Sequence, residues 1–398
     1  MPYGGAIGGG LVVKIPLLNR LTTPLFDRRD AGLTRTLRTF SPNEKTLNLA
    51  NNDYLSLASH PKVIESAKRS LEKYGCSSSA SPLITGFGPA HSELLETLKE
   101  WHGFESGMVW NSGYVANQAL LGSIPRKDDL VLADRLIHKS MISGILASGA
   151  RLMRYRHCDT GHLEELLEKN ATGDRIVFVV TESVFSMDGD YPDLKKIAEL
   201  KERYGFFWIV DEAHALGWYG KRGSGLIEQF GVTKSVDALV GTLGKALGSM
   251  GAYALFHDEV VERYLTNFAD EFIYSTYLTP SAASAATAAI ECIRDMEEDR
   301  ELMHLRSIFF RKRLIEKGFS VSLGDSPIVS IALGEPDATV KAAEALQKRG
   351  IRVGAVRPPT VPEGTSRLRI SLKANLSETD LTEIVNTLAE EVKAERCG

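Results

Sequence analysis

Residues 237–251 read DALVGTLGKALGSMG. The apolar run Ala238-Leu239-Val240 predicts a buried strand. It ends in Gly241-Thr242-Leu243-Gly244, and Lys245 follows at once, with Ala246, Gly248, Ser249 and Gly251 close behind. A lysine at a strand end, flanked by small residues, stands where a flat ligand can approach the backbone. It is also where an enzyme places an amine for Schiff-base chemistry. A solvated lysine in a glycine-rich turn fits the same window. The rest of the chain must supply the partners that decide between the two.

The chain has 398 residues, 43% of them hydrophobic and 25% charged, with a net charge of −4. This is the composition of an ordinary globular protein, long enough for two compact units. The acidic balance argues against nucleic acid or an anionic membrane surface as a main partner. Cys76, Cys158, Cys292 and Cys397 are scattered, with no CxxC pair. Neither a metal site nor a disulfide framework is indicated, and a reducing, cytoplasmic setting is expected. No apolar window approaches the length of a membrane span. Gly4, Gly5 and Gly8 to Gly10 precede Leu11-Val12-Val13 without a basic leader, so residues 1–46 are expected to form a flexible N-terminal arm rather than a signal peptide.

From Leu47 onward, apolar strands alternate with helical patterns. Strands are expected at 108–110, 130–132, 176–180, 206–210 and 238–240, with helices at 114–122, 138–148, 161–169, 193–204 and 258–269 between or after them. Such a pattern predicts an α/β domain with a mainly parallel sheet covered on both faces, assigned here to residues 47–285. Beyond it, long helices lead into short strands and a last helix, a smaller α+β domain over residues 286–398.

In an open α/β sheet, ligands bind beyond the carboxyl ends of the strands. Asp211 is the first polar residue after Phe206–Val210, and His214 follows in the string DEAH. A nucleotide-hydrolysing reading of that string needs a G-x-x-x-x-G-K-[ST] loop. The available Gly244-Lys245 has Leu239 in place of the first glycine and Ala246 after the lysine, so that reading fails. The other reading is a buried carboxylate that keeps the ring nitrogen of pyridoxal phosphate protonated. After Trp110, Ser112-Gly113-Tyr114 opens a helix whose free amides suit a phosphate. After Ala133, His138 offers an imidazole to lie on an aromatic ring, or a structural histidine. After Val180, TESVFSMDGD gathers Glu182, Ser183, Ser186 and Asp188. Five strand ends thus supply what one cofactor requires.

These residues also carry a resemblance. NDYLSL, ITGFGPAHSELLETLKEW, SGYVANQA, DRLIHKSM, TESVFSMDGD, VDEAHALG, GTLGKALG, FIYSTYLTP and RPPTVPEGTSRLRISL occur in order between about Leu47 and Leu388. The chain resembles the α-oxoamine synthases, a branch of the fold-type I pyridoxal-phosphate (PLP) enzymes. The resemblance implies Lys245 as the Schiff-base lysine and proton carrier, and Asp211 as partner of the ring nitrogen. It implies His214 and Ser186 at the phenolate oxygen and His138 stacked on the ring. Gly113, Tyr114 and Thr242 would hold the phosphate, joined by Ser275 and Thr276 from a neighbouring subunit, hence a homodimer with shared sites. Arg369 would grip the amino acid carboxylate, with Asn52 as a substrate contact; Arg28 and Arg29 both remain open as a further one. Ser81 and RPPTVPEGTSRLRISL look like the members that condense L-alanine with a pimeloyl thioester, on CoA or a carrier protein, by decarboxylative condensation. Ser77-Ser78-Ser79-Ala80, Pro82 and DEAHALG depart from the common pattern. Serine palmitoyl transfer, glycine C-acetyl transfer and 5-aminolevulinate synthesis stand as alternatives. A cofactor-free partner subunit is another, although such a chain would be expected to lack Lys245.

Overall fold

Runs of apolar residues with few polar interruptions become strands buried on both faces. The computed structural model describes residues 16–40, 46–171 and 175–397. The glycine-rich stretch of the expected N-terminal arm lies outside them. In chain order the strands are β1 (Leu47–Asn48), β2 (Ser106–Trp110), β3 (Leu130–Asp134), β4 (Arg151–Tyr155), β5 (Val177–Glu182), β6 (Phe207–Asp211), β7 (Ala238–Thr242), β8 (Ala252–Phe256), β9 (Ile328–Gly334), β10 (Ile351–Arg352), β11 (Gly354–Val356) and β12 (Ser366–Ser371).

Seven of them form one sheet in the order β2-β8-β7-β6-β5-β3-β4. Neighbours from β7 through β4 run parallel, while β8 is antiparallel to both β7 and β2. Because β8 reverses direction between them, β2 points the same way as β7. The carboxyl ends of β2, β3, β5, β6 and β7 therefore share one edge of the sheet, and the five sequence-predicted strand ends meet there. β3, β5 and β7 are buried along their whole lengths. The sequence reading passed over two strands. β4 is an edge strand with exposed Arg151 and Arg154, and β8 is short and follows directly on the Lys245 turn.

Helix boundaries follow local chemistry. Ser112 caps Gly113–Ser123 by accepting from the Val115 amide at 3.3 Å. Asp193 caps Leu194–Tyr204 in the same way at 3.0 Å, and Gly205 ends that helix at φ +68°. Each side-chain cap contributes about 1 kcal/mol. A second sheet has the order β11-β12-β9, all antiparallel. Residues 320–322, expected as a strand, make only an isolated bridge between Val321 and Ile331.

The segment that follows residue 46 ties the two sheets together. β1 pairs in parallel with β10, and the Ser371 and Ala374 amides donate to the Leu49 and Tyr54 carbonyls, each at 2.8 Å. Asn52 and Tyr54 are thereby brought between the small sheet and the strand-end edge. Upstream, Pro16–Asp30 is a helix with no buried residue. No element was expected there, because the stretch carries basic residues such as Arg28 and Arg29 and shows little apolar periodicity.

Candidate active site

Lys245 leaves β7 in a turn closed by its own hydrogen bonds. The Leu243 amide donates to Gly251 O at 2.9 Å, the Gly248 amide to Lys245 O at 2.9 Å, and Thr242 Oγ1 to Gly251 O at 3.1 Å. The small residues here answer mostly to the protein itself. A Cβ on Gly241 would overlap the Tyr253 ring, and one on Gly248 (φ +61°) would overlap the backbone of Ala58. On Gly251 (φ +111°) it would come within 3.0 Å of Trp110 O. Of these, only Gly244 would tolerate a Cβ without crowding, with ordinary contacts to Ser249 O at 3.7 Å and Thr242 Oγ1 at 3.8 Å. The expectation that these residues clear room for a flat ligand is therefore corrected for Gly248 and Gly251, whose neighbours are other parts of the chain, whereas Gly241 also lines the cavity described next.

Gly113, Tyr114, His138, Asp211, His214, Thr242 and Lys245 line one cavity of about 170 Å³. Asp211 is 6% exposed, and both its oxygens are held. Oδ1 accepts from the Ala213 amide and Oδ2 from Asn117 Nδ2, each at 2.9 Å. Asn117 was not predicted. It lies four residues past Gly113 on the same helix, and that spacing was the available signal. Glu182 also lines the cavity and pairs directly with Asp211 across β5 and β6. Burial and the nearby Asp211 push its carboxyl up to about 8, and its Oε1 is buried without a partner. An unpartnered buried oxygen aimed at a lined cavity indicates a group meant to meet a ligand.

Lys245 Nζ lies 2.7 Å from His214 Nε2. Burial pulls the lysine down to about 8, and Arg369 adds to this, against the opposing pull of Asp211 and Glu182. Burial, with the charges of Lys245, Arg369 and His138, holds His214 well below the usual histidine range, so its ring is neutral near pH 7. His138 caps Lys139–Ser148. Its Nδ1 accepts from the Ser140 amide at 3.3 Å, which leaves the proton on Nε2. Only the neutral amine attacks an aldehyde. Capture of PLP by the apoprotein should therefore speed up with rising pH and level off near 8, not near the ordinary lysine value of 10.5. Stopped-flow absorbance measures this, and a rate still climbing through the ordinary lysine range would contradict it.

The remaining predicted residues stand outside the lining. Arg369, on β12 and 6% exposed, donates from Nε to Ser186 O at 2.7 Å and from Nη1 to Ser371 Oγ at 3.0 Å. Ser186 thus meets Arg369 through its carbonyl. Asn52 Oδ1 lies 3.3 Å from the Tyr54 hydroxyl. Ser81 lies in the loop before Pro82–Gly86, where its carbonyl accepts from the Ile84 and Gly86 amides. Ser275 is half-buried, Thr276 is exposed, and Thr276 O accepts from Asn111 Nδ2 at 2.7 Å. Arg28 and Arg29 lie on the exposed helix, where Arg29 pairs with Asp30. Among the described residues, Asp134, His157 and Cys158 have the spacing of metal ligands. Burial alone would lower His157, but hydrogen bonds to Asp134 and Asp190 push it up to about 12. The imidazolium itself is the cation of that cluster.

The residues present fit PLP. A carboxylate with fixed oxygens faces the cavity beside an amine, an imidazole and a helix start, and the first amides of a helix have no intrahelical partner. A Cβ on Gly113 would come no nearer than 4.0 Å to Thr242, so a phosphate has room there.

Comparison with known proteins agrees with this geometry. Residues 44–388 match the family model described as aminotransferase class I and II. The chain is 44% identical to the 8-amino-7-oxononanoate synthase of Chlorobaculum parvum over 350 residues, covering 86% of this chain and 88% of that one. It is 40% identical to that of Vibrio atlanticus over 385 residues, covering 94% and 93%. Among solved structures, a serine palmitoyltransferase from S. paucimobilis with PLP–myriocin aldimine bound superposes with a TM-score of 0.89 at 25% identity, covering 96% of this chain and 99% of that one. The 8-amino-7-oxononanoate synthase of Francisella tularensis superposes with a TM-score of 0.76 at 28% identity, covering 88% and 99%. The chain belongs to the aminotransferase class I and II family and, within it, to the family of the 8-amino-7-oxononanoate synthases.

Proposed function

We propose that the chain catalyses the PLP-dependent condensation of L-alanine with a pimeloyl thioester, releasing carbon dioxide and forming 8-amino-7-oxononanoate for biotin biosynthesis. The observation that carries this reading is the convergence of Lys245, His214, Asp211 and His138 on one cavity, in a chain whose relatives bear that enzyme's name. The bound cofactor supplies an electron sink for negative charge at the amino acid's α-carbon.

The chain's own residues do the rest. Lys245 anchors the cofactor and, once freed, takes the α-proton as a neutral amine, which its lowered basicity favours. Asp211 keeps the ring nitrogen protonated, and Asn117 and the Ala213 amide hold its oxygens toward that task. Gly113, Tyr114 and Thr242 hold the phosphate, and His138 lies on the ring. His214 and Ser186 serve the phenolate oxygen. Arg369 grips the amino acid carboxylate, with Asn52 and Ser81 beside the substrate. His214 and His138 are the two candidates for polarising the thioester carbonyl as the carbon–carbon bond forms and thiolate leaves. Ser275 and Thr276 complete the phosphate site of a neighbouring subunit, which makes the working form a homodimer.

The division into residues 1–46, 47–285 and 286–398 belongs to the same reading, supported by the separate seven-stranded and three-stranded sheets, while the two-stranded β1-β10 sheet links the start of the middle unit to the last. So does a cytoplasmic setting, supported by unpaired Cys76, Cys158 and Cys292; no described helix is long and apolar enough to cross a membrane.

The test is a panel of amino acids against acyl thioesters of differing length, on CoA and on a carrier protein, scored by thiol release. Alanine with the pimeloyl donor should be fastest. Faster turnover of serine with a long acyl chain, or of glycine with a short one, would replace this reading with another reaction of the same branch.

A further inference from the structure

Three side chains assigned to different ligands meet at one hydroxyl. Tyr54 is wholly buried, and its ring stands behind His214, with centroids 6.2 Å apart. Its Oη lies 2.6 Å from His214 Nδ1 and 3.3 Å from Asn52 Oδ1. The Arg369 guanidinium also faces it, opposing the effect of burial on its acidity. Tyr54 does not line the cavity, so it does not touch what binds there.

We propose that Tyr54 is a positioning residue whose hydroxyl donates to His214 Nδ1 and so fixes the His214 proton on Nε2, the atom that faces Lys245. The inference rests on the reading of Lys245, His214 and Arg369 given above. A tyrosine hydroxyl has one proton to give and accepts through its lone pairs. A guanidinium only donates, so the facing Arg369 cannot accept that proton, and it must go elsewhere. Of the two acceptors, His214 Nδ1 at 2.6 Å is at normal hydrogen-bond length, while Asn52 Oδ1 at 3.3 Å is long for an O–H donor. The opposite arrangement, with Nδ1–H donating to Tyr54, would leave the hydroxyl proton only the long contact.

A neutral imidazole that accepts at Nδ1 carries its proton at Nε2. With Lys245 neutral or joined to the cofactor, His214 then presents a donor to the cavity, suited to an anionic oxygen; opposite a protonated Lys245 2.7 Å away, whose ammonium only donates, Nε2 would have to accept. The groups that face it are Lys245, Arg369 and His138, all cationic when protonated. A donor that needs no positive charge of its own avoids adding to theirs. Because Asn52 reaches the same hydroxyl and the Arg369 charge acts on it, filling the amino acid carboxylate site acts on the hydrogen bond that orients His214. Tyr54 thereby links substrate occupancy to the proton that faces the phenolate oxygen.

The direct test uses the unaltered full chain with PLP bound. Nitrogen-15 spectra of histidine-labelled protein, with the His214 signals assigned by their loss in His214→Asn, report which nitrogen carries the proton. A protonated Nε2 with an unprotonated Nδ1 is expected, and a protonated Nδ1 overturns the proposal. Turnover plays no part in this readout, so an error in the substrate assignment would leave it unaffected. The variant test is Tyr54→Phe, which keeps the ring in its buried site. The expected result is a fall in kcat of about tenfold or more, a small change in the alanine KM, and a displaced pH midpoint of the bound cofactor's visible band. The loss should largely vanish when measured in the His214→Asn background. A KM effect with unchanged kcat, or a loss undiminished in that background, overturns the proposal in favour of a direct role at the carboxylate.

Discussion

Replacing Lys245 by alanine is expected to remove all borohydride-fixable cofactor and to lower turnover by at least ~10²–10⁴-fold, the scale of a lost positioned proton carrier. Two functions go at once, the covalent anchor and the base that reaches the α-carbon. The fold should not suffer. Lys245 is held at about 8 because burial disfavours its charge, and its ordinary value in an unfolded chain is 10.5. Between these values the unfolded state binds more protons than the folded one. The lysine's contribution to stability therefore rises as pH rises from about 8 to 10.5, and near pH 7 it works against folding. Apoprotein carrying Lys245→Ala should melt no lower than the parent at neutral pH. This separates a chemical loss from a structural one. Absorbance, borohydride reduction followed by mass analysis, and thermal melting provide the readings. A variant that still fixes cofactor after reduction would remove Lys245 from its assigned role.

Asp211→Asn should be the next most damaging change at the site. It keeps the shape and removes the charge. Asn117 Nδ2 and the Ala213 amide now donate to Asp211, and an asparagine at 211 could satisfy only one of them with its single oxygen. Asn117 Oδ1 is buried and unpartnered, so a turn of the Asn117 amide would meet the new NH₂ group. The variant should therefore fold. Breaking one side of a buried ion pair costs about 3–5 kcal/mol, or roughly 10²- to 10⁴-fold at 1.4 kcal/mol per decade. That loss should appear in PLP affinity and in turnover together. Glu182 refines the expectation. Its carboxyl stands opposite Asp211 and is pushed up by burial and by the Asp211 charge. With that charge gone, Glu182 should ionise at lower pH than in the parent, and part of the lost affinity should return as pH rises. Titration of apoprotein with PLP across pH measures this. Parental affinity in Asp211→Asn would mean that the ring nitrogen has another partner.

The local code around the cavity was open to reading in one dimension. Apolar strands ending in Asp211, Thr242 or Ala133, followed by His214, Lys245 or His138, are adjacent in sequence, and strand ends are where ligands bind in such sheets. The antiparallel β8 was not so legible. AYALF carries no sign of direction, and only its pairing with β2 and β7 shows how the Gly113 helix start reaches the same edge. Two glycines of the lysine turn, Gly248 and Gly251, were misread for a related reason. A glycine records that something comes close, and whether that is a ligand or Ala58, Tyr253 and Trp110 depends on chain segments far away in sequence.

The sequence by itself determined the sheet-and-helix class, the strand ends that carry Asp211, His214, His138 and Lys245, and the failure of the nucleotide-loop alternative. All of these depend on residues within a few positions of one another. Tertiary structure alone decided that Asn117 steadies Asp211, that Glu182 stands buried against it, and that Tyr54 joins Asn52, Arg369 and His214. Apart from Asn52, two residues before Tyr54, those partners lie on different elements, up to 315 positions apart for Tyr54 and Arg369. What brings them together is burial between two sheets, where a polar group must find a partner because no water reaches it.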